Sequence, residues 1–166
     1  MLIIYGRQEE IWRVMYMAEE RKTMDALIKE ANLKGDSLNN ANDFALFLEK
    51  EGMLAGGVHG SITYNDKAIC YMHMDGSNEL PGPWTVWPNG DFSSDSSSSA
   101  LNEAQKEIAW ANINICGKCG GKCAPGSTKT VFGKQFDNVC SAPLAFCDPK
   151  DETLDCLKEV LKMIKQ

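Results

Sequence analysis

The chain has 166 residues, of which 43% are hydrophobic and 24% charged, and its formal net charge is −6. A chain of this length buries roughly 68–70% of its unfolded surface, so its core needs no disulfide staples. The acidic charge argues against a nucleic-acid-binding protein, and no stretch approaches the roughly 18 uninterrupted apolar residues of a membrane span. We therefore expect a globular domain without a membrane segment.

The seven cysteines are an odd number, and the first residues lack the basic segment and the small-residue cleavage site of a signal peptide. Proteins that stay inside the cell keep their thiols reduced. We therefore expect a cytoplasmic protein whose cysteines are reduced, metal-bound or catalytic, rather than a disulfide framework.

Helical spacing of apolar residues predicts three helices in the first third of the chain, of which the first two are either separate helices or one bent helix. The first covers residues 8–20, and its apolar stripe consists of Ile11, Val14, Met15 and Ala18. The second covers residues 24–31, after Thr23 as a capping residue and before Gly35 as a C-terminal signal. The third is predicted over residues 42–51.

The hydrophobic period then changes to two, which predicts a β-hairpin over residues 58–74. A shared face for the alternating apolar residues requires a loop with an odd number of residues, and Asn65-Asp66-Lys67 is the simplest choice. His59 then lies directly across from His73 on the opposite face, which also carries Tyr71. Two imidazoles so placed can share a metal or act as acid and base, although the alternative is a solvated face without function.

The segment after the hairpin is rich in glycine, proline and serine. Trp84 and Trp87 lie on a short predicted strand between two prolines, where they either wall a ligand cleft or pack in a core or lid. The serine run 93–99 is expected to be a flexible surface stretch, because it offers nothing to bury. The predicted ligand-binding residues are His59, His73, Tyr71, Trp84 and Trp87.

The last third of the chain is predicted to hold two more helices and a short strand. The fourth helix carries Leu101, Ala104, Ile108 and Ala111 on one face, and the strand covers residues 130–132 with a turn at Gly133. Asp148 and Pro149 begin the last helix, whose inner stripe is Leu154, Leu157, Leu161 and Ile164. The expected fold is a single α+β domain over residues 1–166, with parts 1–92, 93–99 and 100–166. It has about five helices, an antiparallel β-hairpin or small sheet, and a C-terminal lobe like a zinc knuckle.

The densest chemistry is the run Cys116-Gly-Lys-Cys119-Gly-Gly-Lys-Cys123, which is followed by Cys140 and Cys147. A glycine-containing Cys-x-x-Cys loop turns two sulfurs toward one point, as a tetrahedral zinc ion requires. The run resembles half of a zinc ribbon, without the second Cys-x-x-Cys. We therefore predict a structural zinc ion held by Cys116, Cys119, Cys123 and Cys140, with Cys147 as the alternative to Cys123.

Other readings of the cysteine run are an iron–sulfur site, a redox or nucleophilic thiol, and free thiols in a glycine-rich loop. The surrounding segment is basic, with a charge of +3 between residues 115 and 140 that leaves −9 for the rest. Cys70 and Cys156 lie on strand and helix patterns instead, where a small buried hydrophobic side chain is expected.

The function predicted first is small-molecule binding or sensing, in a cleft between the polar face of the hairpin and the Trp84/Trp87 segment. A protein-interaction module that uses the basic cysteine lobe and a thiol redox enzyme are alternatives. A winged-helix DNA binder ranks last, because its recognition helix, residues 39–51, is acidic. No phosphate-binding glycine loop or nucleophile elbow is present, and whether the protein is an enzyme stays open.

Overall fold

The computed structural model of the chain describes residues 22–56, 60–74, 82–117 and 124–166. These residues form five helices: α1 (Met24–Ala31), α2 (Gly35–Lys50), α3 (Asp95–Ala100), α4 (Glu103–Ala111) and α5 (Asp151–Lys165). They form eight strands: β1 (Leu54–Ala55), β2 (Ser61–Tyr64), β3 (Lys67–Met74), β4 (Trp84–Pro88), β5 (Ile113–Ile115), β6 (Ser127–Val131), β7 (Lys134–Leu144) and β8 (Phe146–Cys147). The predicted α+β class is confirmed, and the helix predicted over residues 8–20 lies outside the described residues.

The strands make two antiparallel sheets. Sheet A has five strands in the order β1-β2-β3-β4-β8, and sheet B has three in the order β5-β7-β6. Only Ala145 separates β7 from β8, so the chain passes from sheet B to sheet A at that residue. No helix in the described ranges is long and apolar enough to cross a membrane.

The first two described helices confirm the predicted cap but change the predicted boundaries. Thr23 caps α1 by accepting a hydrogen bond from the Ala26 N–H, as predicted. The helix ends at the left-handed Asn32 rather than at Gly35, which begins α2. α2 starts well before residue 42 because Ala41, which is fully buried, continues its apolar stripe toward the N-terminus.

The predicted β-hairpin is formed by β2 and β3, but its loop has two residues instead of three. Asn65 and Asp66 both have positive φ, 47° and 63°, which is the type I′ geometry that suits the twist of a two-residue hairpin. The register then shifts by one residue at a bulge between Ile62 and Thr63. Beyond the bulge Ser61 lies opposite Tyr71, which is the register that a three-residue loop predicts.

A second tight hairpin joins β6 to β7 in sheet B. Val131 pairs with Lys134, and the two turn residues Phe132 and Gly133 have φ of 48° and 81°. A phenylalanine rarely adopts positive φ, but here its ring is buried against Phe92, with 5.4 Å between ring centroids. The predicted turn at Gly133 is confirmed, and the predicted strand is found as β6, which begins earlier and ends at Val131 instead of residue 132, whereas the eleven-residue β7 was not predicted.

The serine run does not have the irregular structure that the sequence predicted. Ser94 caps the short helix α3, and its hydroxyl accepts from the Ser97 N–H at 3.2 Å. Ser97 is buried, and its hydroxyl donates to the carbonyl of Asp91 at 2.6 Å. The expectation that nothing in this run is buried was wrong, because serine hydroxyls satisfy the helix terminus and the preceding loop.

The last two helices have the predicted places but not all of the predicted details. Asn102 and Gln105 form a capping box at the start of α4, which buries Ala109, whereas the predicted Ala104 and Ala111 are exposed. The N-cap of α5 is Lys150, so the predicted cap at Asp148 was wrong. Asp148 instead accepts hydrogen bonds from two side chains in other elements. The stripe of α5 was predicted correctly in its buried residues Leu154, Leu157 and Leu161.

The core lies on one face of sheet A, which is covered by α1, α2 and α5. Its largest fully buried side chains are Trp84, Phe44, Phe132, Phe146, Leu48, Ile62, Leu144, Leu157 and Leu161. The other face of the β3–β4 pair is turned away from these helices, and β7 of sheet B lies against β4. This second face carries most of the predicted ligand-binding residues.

Candidate functional site

The outward face of sheet A brings together three of the predicted ligand-binding residues. The strand register pairs Tyr71 with Trp87 and His73 with Thr85, and residues paired across antiparallel strands point to the same face. Tyr71 and His73 are exposed, and Trp87 is half-buried. The predicted grouping of Tyr71, His73 and Trp87 therefore agrees with the register, while His59 lies outside the described residues.

Trp84 is on the opposite face and belongs to the core. Its side chain is fully buried, and its ring lies 5.6 Å from that of Phe44 on α2. The indole N–H donates to the Asp148 carboxylate at 2.8 Å, and the same carboxylate accepts from the Ser37 hydroxyl at 2.9 Å. Trp84 thus has the core role that the sequence left as the alternative to a cleft wall.

A cavity of about 680 Å³ opens between the outward face of sheet A and sheet B. Tyr71 of β3 forms one wall, and its side chain is 44% exposed. The end of β4, the segment after it and strands β6 and β7 supply the other lining residues, which include Pro88, Asn89, Asp91, Ser93, Thr128, Lys129, Thr130, Ser141 and Pro143. The cavity therefore faces sheet B rather than the Trp84 segment that the sequence suggested.

The described lining of this cavity contains one cation and one carboxylate. The Lys129 ammonium donates to the carbonyl of Ser141 at 3.1 Å and forms no ion pair within the described ranges. The Asp91 carboxylate accepts from the Ser93 hydroxyl at 2.7 Å and from its N–H at 2.9 Å, and these bonds lower the pKa of the carboxyl. The cavity thus combines balanced charge with several hydroxyl groups.

Thr85 is the one unsatisfied polar side chain among the described buried groups. It is 1% exposed, and its hydroxyl oxygen has no hydrogen-bond partner. Its cross-strand neighbours on the outward face are His73 on β3 and Cys147 on β8. A buried hydroxyl without a partner costs about 1–3 kcal/mol of folding free energy.

Two of the four predicted zinc ligands can be located. The N–H of Cys116 donates to the Asn138 carbonyl across the β5–β7 ladder at 2.8 Å, and Cys140 lies two residues further along β7. Cys119 and Cys123 lie outside the described residues. In the described part of the chain, no group of three or more His, Cys, Asp or Glu side chains is arranged to hold a metal ion.

The remaining cysteines separate into two kinds. Cys147, the alternative fourth ligand, is in sheet A, whereas Cys140 is in sheet B. Cys70 and Cys156 are 0% and 1% exposed, as predicted for small buried side chains. Burial raises the pKa of both thiols, that of Cys156 to about 11. These two thiols are therefore poor nucleophiles near neutral pH.

The sequence did not identify Lys129, Asp91 and their hydroxyl-bearing neighbours as cavity residues. They lie on sheet B and on the segment after β4, and they meet Tyr71 only because the two sheets pack together. Local periodicity carries no information about contacts between sheets. The β2–β3 hairpin also differs from the free hairpin of a winged-helix protein, because β3 pairs with β4 along its second edge.

No protein-family model, curated protein or solved structure matches this chain.

Proposed function

We propose that the protein binds a small molecule in the cavity between the two sheets. The observation that carries this proposal is the cavity of about 680 Å³ with the exposed ring of Tyr71 in its wall. Small-molecule sites have volumes of about 300–1,000 Å³ and combine an apolar wall with a few polar groups. The partly exposed Tyr71 ring supplies such a wall, beside Pro88 and Pro143.

The lining favours a polar ligand without a large net charge. Lys129 and Asp91 carry opposite charges, and hydroxyl groups of Thr128, Thr130 and Ser93 add further donors and acceptors. A ligand with one flat apolar face and several hydroxyl, amide or zwitterionic groups fits this chemistry, because its face packs on Tyr71 and its polar groups meet the sheet B side.

A fragment screen by saturation-transfer NMR tests this proposal. The mixture contains benzoate, benzylamine, phenylalanine and methyl glucoside, which differ in charge and hydrogen-bonding groups. We expect binding of at least one of them, and a loss of its signal by about tenfold in Tyr71→Ala, which removes the aromatic wall. Lys129→Met tests the cation, with Lys150→Met, an exposed lysine outside the cavity, as the matched control. Equal signals in Tyr71→Ala and the unchanged protein would contradict the proposal.

We further propose that Cys116, Cys119, Cys123 and Cys140 hold a structural zinc ion. Support comes from the hydrogen bond between the Cys116 N–H and the Asn138 carbonyl, because Cys140 lies only two residues beyond Asn138 along β7. The glycine-containing segment with Cys119 and Cys123 lies between Cys116 and Cys140 in the sequence. This proposal goes with the cytoplasmic location that the sequence favours, because reduced thiols are the form that binds zinc.

Elemental mass spectrometry on protein purified anaerobically, without a metal affinity column, tests the zinc proposal. We expect about one zinc per chain with all seven thiols recovered in denaturant, and a loss of several kcal/mol of stability in Cys116→Ser because metal binding adds to folding energy. Cys70→Ala is the control for the loss of a thiol that is not a ligand, and it should keep about one zinc per chain. A protein without metal and with fewer than seven free thiols would favour the thiol redox alternative instead.

A further inference from the structure

An apolar groove lies where the described chain begins, between α1, α2 and β1. Its volume is about 620 Å³. Leu46 on α2 and Leu54 on β1 both line it, and their side chains are 66% and 60% exposed. Single exposed leucines are ordinary on a protein surface, but two that share one concave apolar surface indicate that something covers it.

The chain itself supplies a segment that matches the groove. Thr23 and Met24 line the groove, and they follow directly on Lys22, the first described residue, so residues 1–21 are the part of the chain that precedes the groove in the sequence. Within them, residues 8–20 carry an apolar stripe at helical spacing, made of Ile11, Val14, Met15 and Ala18. A helix of that length is about 20 Å long, and its apolar stripe needs a partner surface.

We propose that residues 8–20 dock in this groove as an amphipathic helix and pack their apolar stripe against Leu46 and Leu54. Docking within one chain is favoured by the short connection, because only a few residues separate the stripe from Met24 and the entropy lost on closing so short a loop is small. The docked helix covers the β1 edge region of sheet A. This surface is separate from the ligand cavity, so the inference does not depend on the proposed function.

Hydrogen exchange followed by mass spectrometry tests the docking. We expect peptides covering residues 8–20 to be protected in the unchanged chain and to exchange about tenfold faster in the double variant Leu46→Asp/Leu54→Asp. Ile115→Asp is the matched control, because Ile115 is another exposed large hydrophobic side chain, 53% exposed, on the far sheet. It should leave the protection of residues 8–20 unchanged.

The reciprocal variant keeps the test informative if the double variant fails to fold. Val14→Asp should raise exchange in peptides covering residues 46–54, because it puts a charge into the apolar stripe and leaves the residues of the groove unchanged. Protection of residues 8–20 that survives Leu46→Asp/Leu54→Asp, or that is absent from the unchanged chain, would overturn the proposal. Protection that falls when the protein is diluted would show that the groove holds a second copy of the chain, which would also overturn it.

Discussion

The two faces of the β3–β4 pair carry different kinds of side chain on the same backbone. On the inner face, Cys70, Met72, Trp84 and Val86 are each at most 5% exposed and pack under the helices. On the outward face, Tyr71 is 44% exposed and lies across from Trp87. Because side chains alternate between faces along a strand, Tyr71 lines the cavity while its neighbours Cys70 and Met72 belong to the core.

The two tryptophans of β4 provide the largest test of this difference. Trp84→Ala should lower the free energy of unfolding by about 3–5 kcal/mol, because it empties a core site beside Phe44 and leaves the Asp148 carboxylate without its indole donor. Trp87→Ala, on the outward face of the same strand, should cost only about 1 kcal/mol. Urea denaturation followed by circular dichroism measures both values.

The matched pair compares the packing of the two faces on one strand. Trp87→Ala should keep the cooperative unfolding transition, so its loss of stability can be measured on the same scale as that of Trp84→Ala. Equal losses of stability in the two variants would show that the outward face is packed as tightly as the core, and the distinction between the faces would then be wrong.

The sequence predicted the two faces of β3 from a period of two, and it predicted β4 from the short run Trp84-Thr85-Val86-Trp87 between two prolines. It did not decide the side of Trp84, since a strand with apolar residues at consecutive positions has no clear alternation. The two-residue turn was missed because the bulge near Ile62 restores the register that a longer loop gives. Local patterns therefore predicted elements, while features that depend on partners elsewhere in the chain required the structure.

The same limit explains the errors in the candidate site. Asp148 precedes a helix and has a favourable capping side chain, but it binds Trp84 and Ser37 instead. The cavity was predicted beside the tryptophan segment, whereas Lys129 and its neighbours complete it from sheet B. Their contribution depends on sheet packing, which has no local signal in the sequence.

A smaller effect on stability is expected from ionisation of the buried Cys156 thiol, which lies on the core side of α5. Burial raises its pKa from the ordinary value of 9.0 to about 11. A raised pKa means that the folded state keeps the proton more tightly than the unfolded state, so this stabilisation is complete below pH 9 and is lost as the pH rises toward 11. We expect the melting temperature to fall over this range, and less steeply in Cys156→Ala.

Cys147→Ala is the control for that measurement, because Cys147 is half-buried on the outward face of sheet A. If the melting temperature of Cys156→Ala falls as steeply between pH 9 and 11 as that of the unchanged protein, the loss of stability at alkaline pH has another cause. Ionisation of the fully buried Cys70 should add to this loss of stability at alkaline pH, since burial raises the pKa of its thiol as well.

The smallest effect is expected at Thr85, a buried residue of the outward face. Thr85→Val replaces a hydroxyl that has no partner with a methyl group of similar size, and it should raise the free energy of unfolding by about 1 kcal/mol. Thr85→Ser is the control, because it keeps the hydroxyl and removes the methyl, and it should be destabilising. Loss of stability in Thr85→Val would show that the hydroxyl has a partner in solution, such as a bound water.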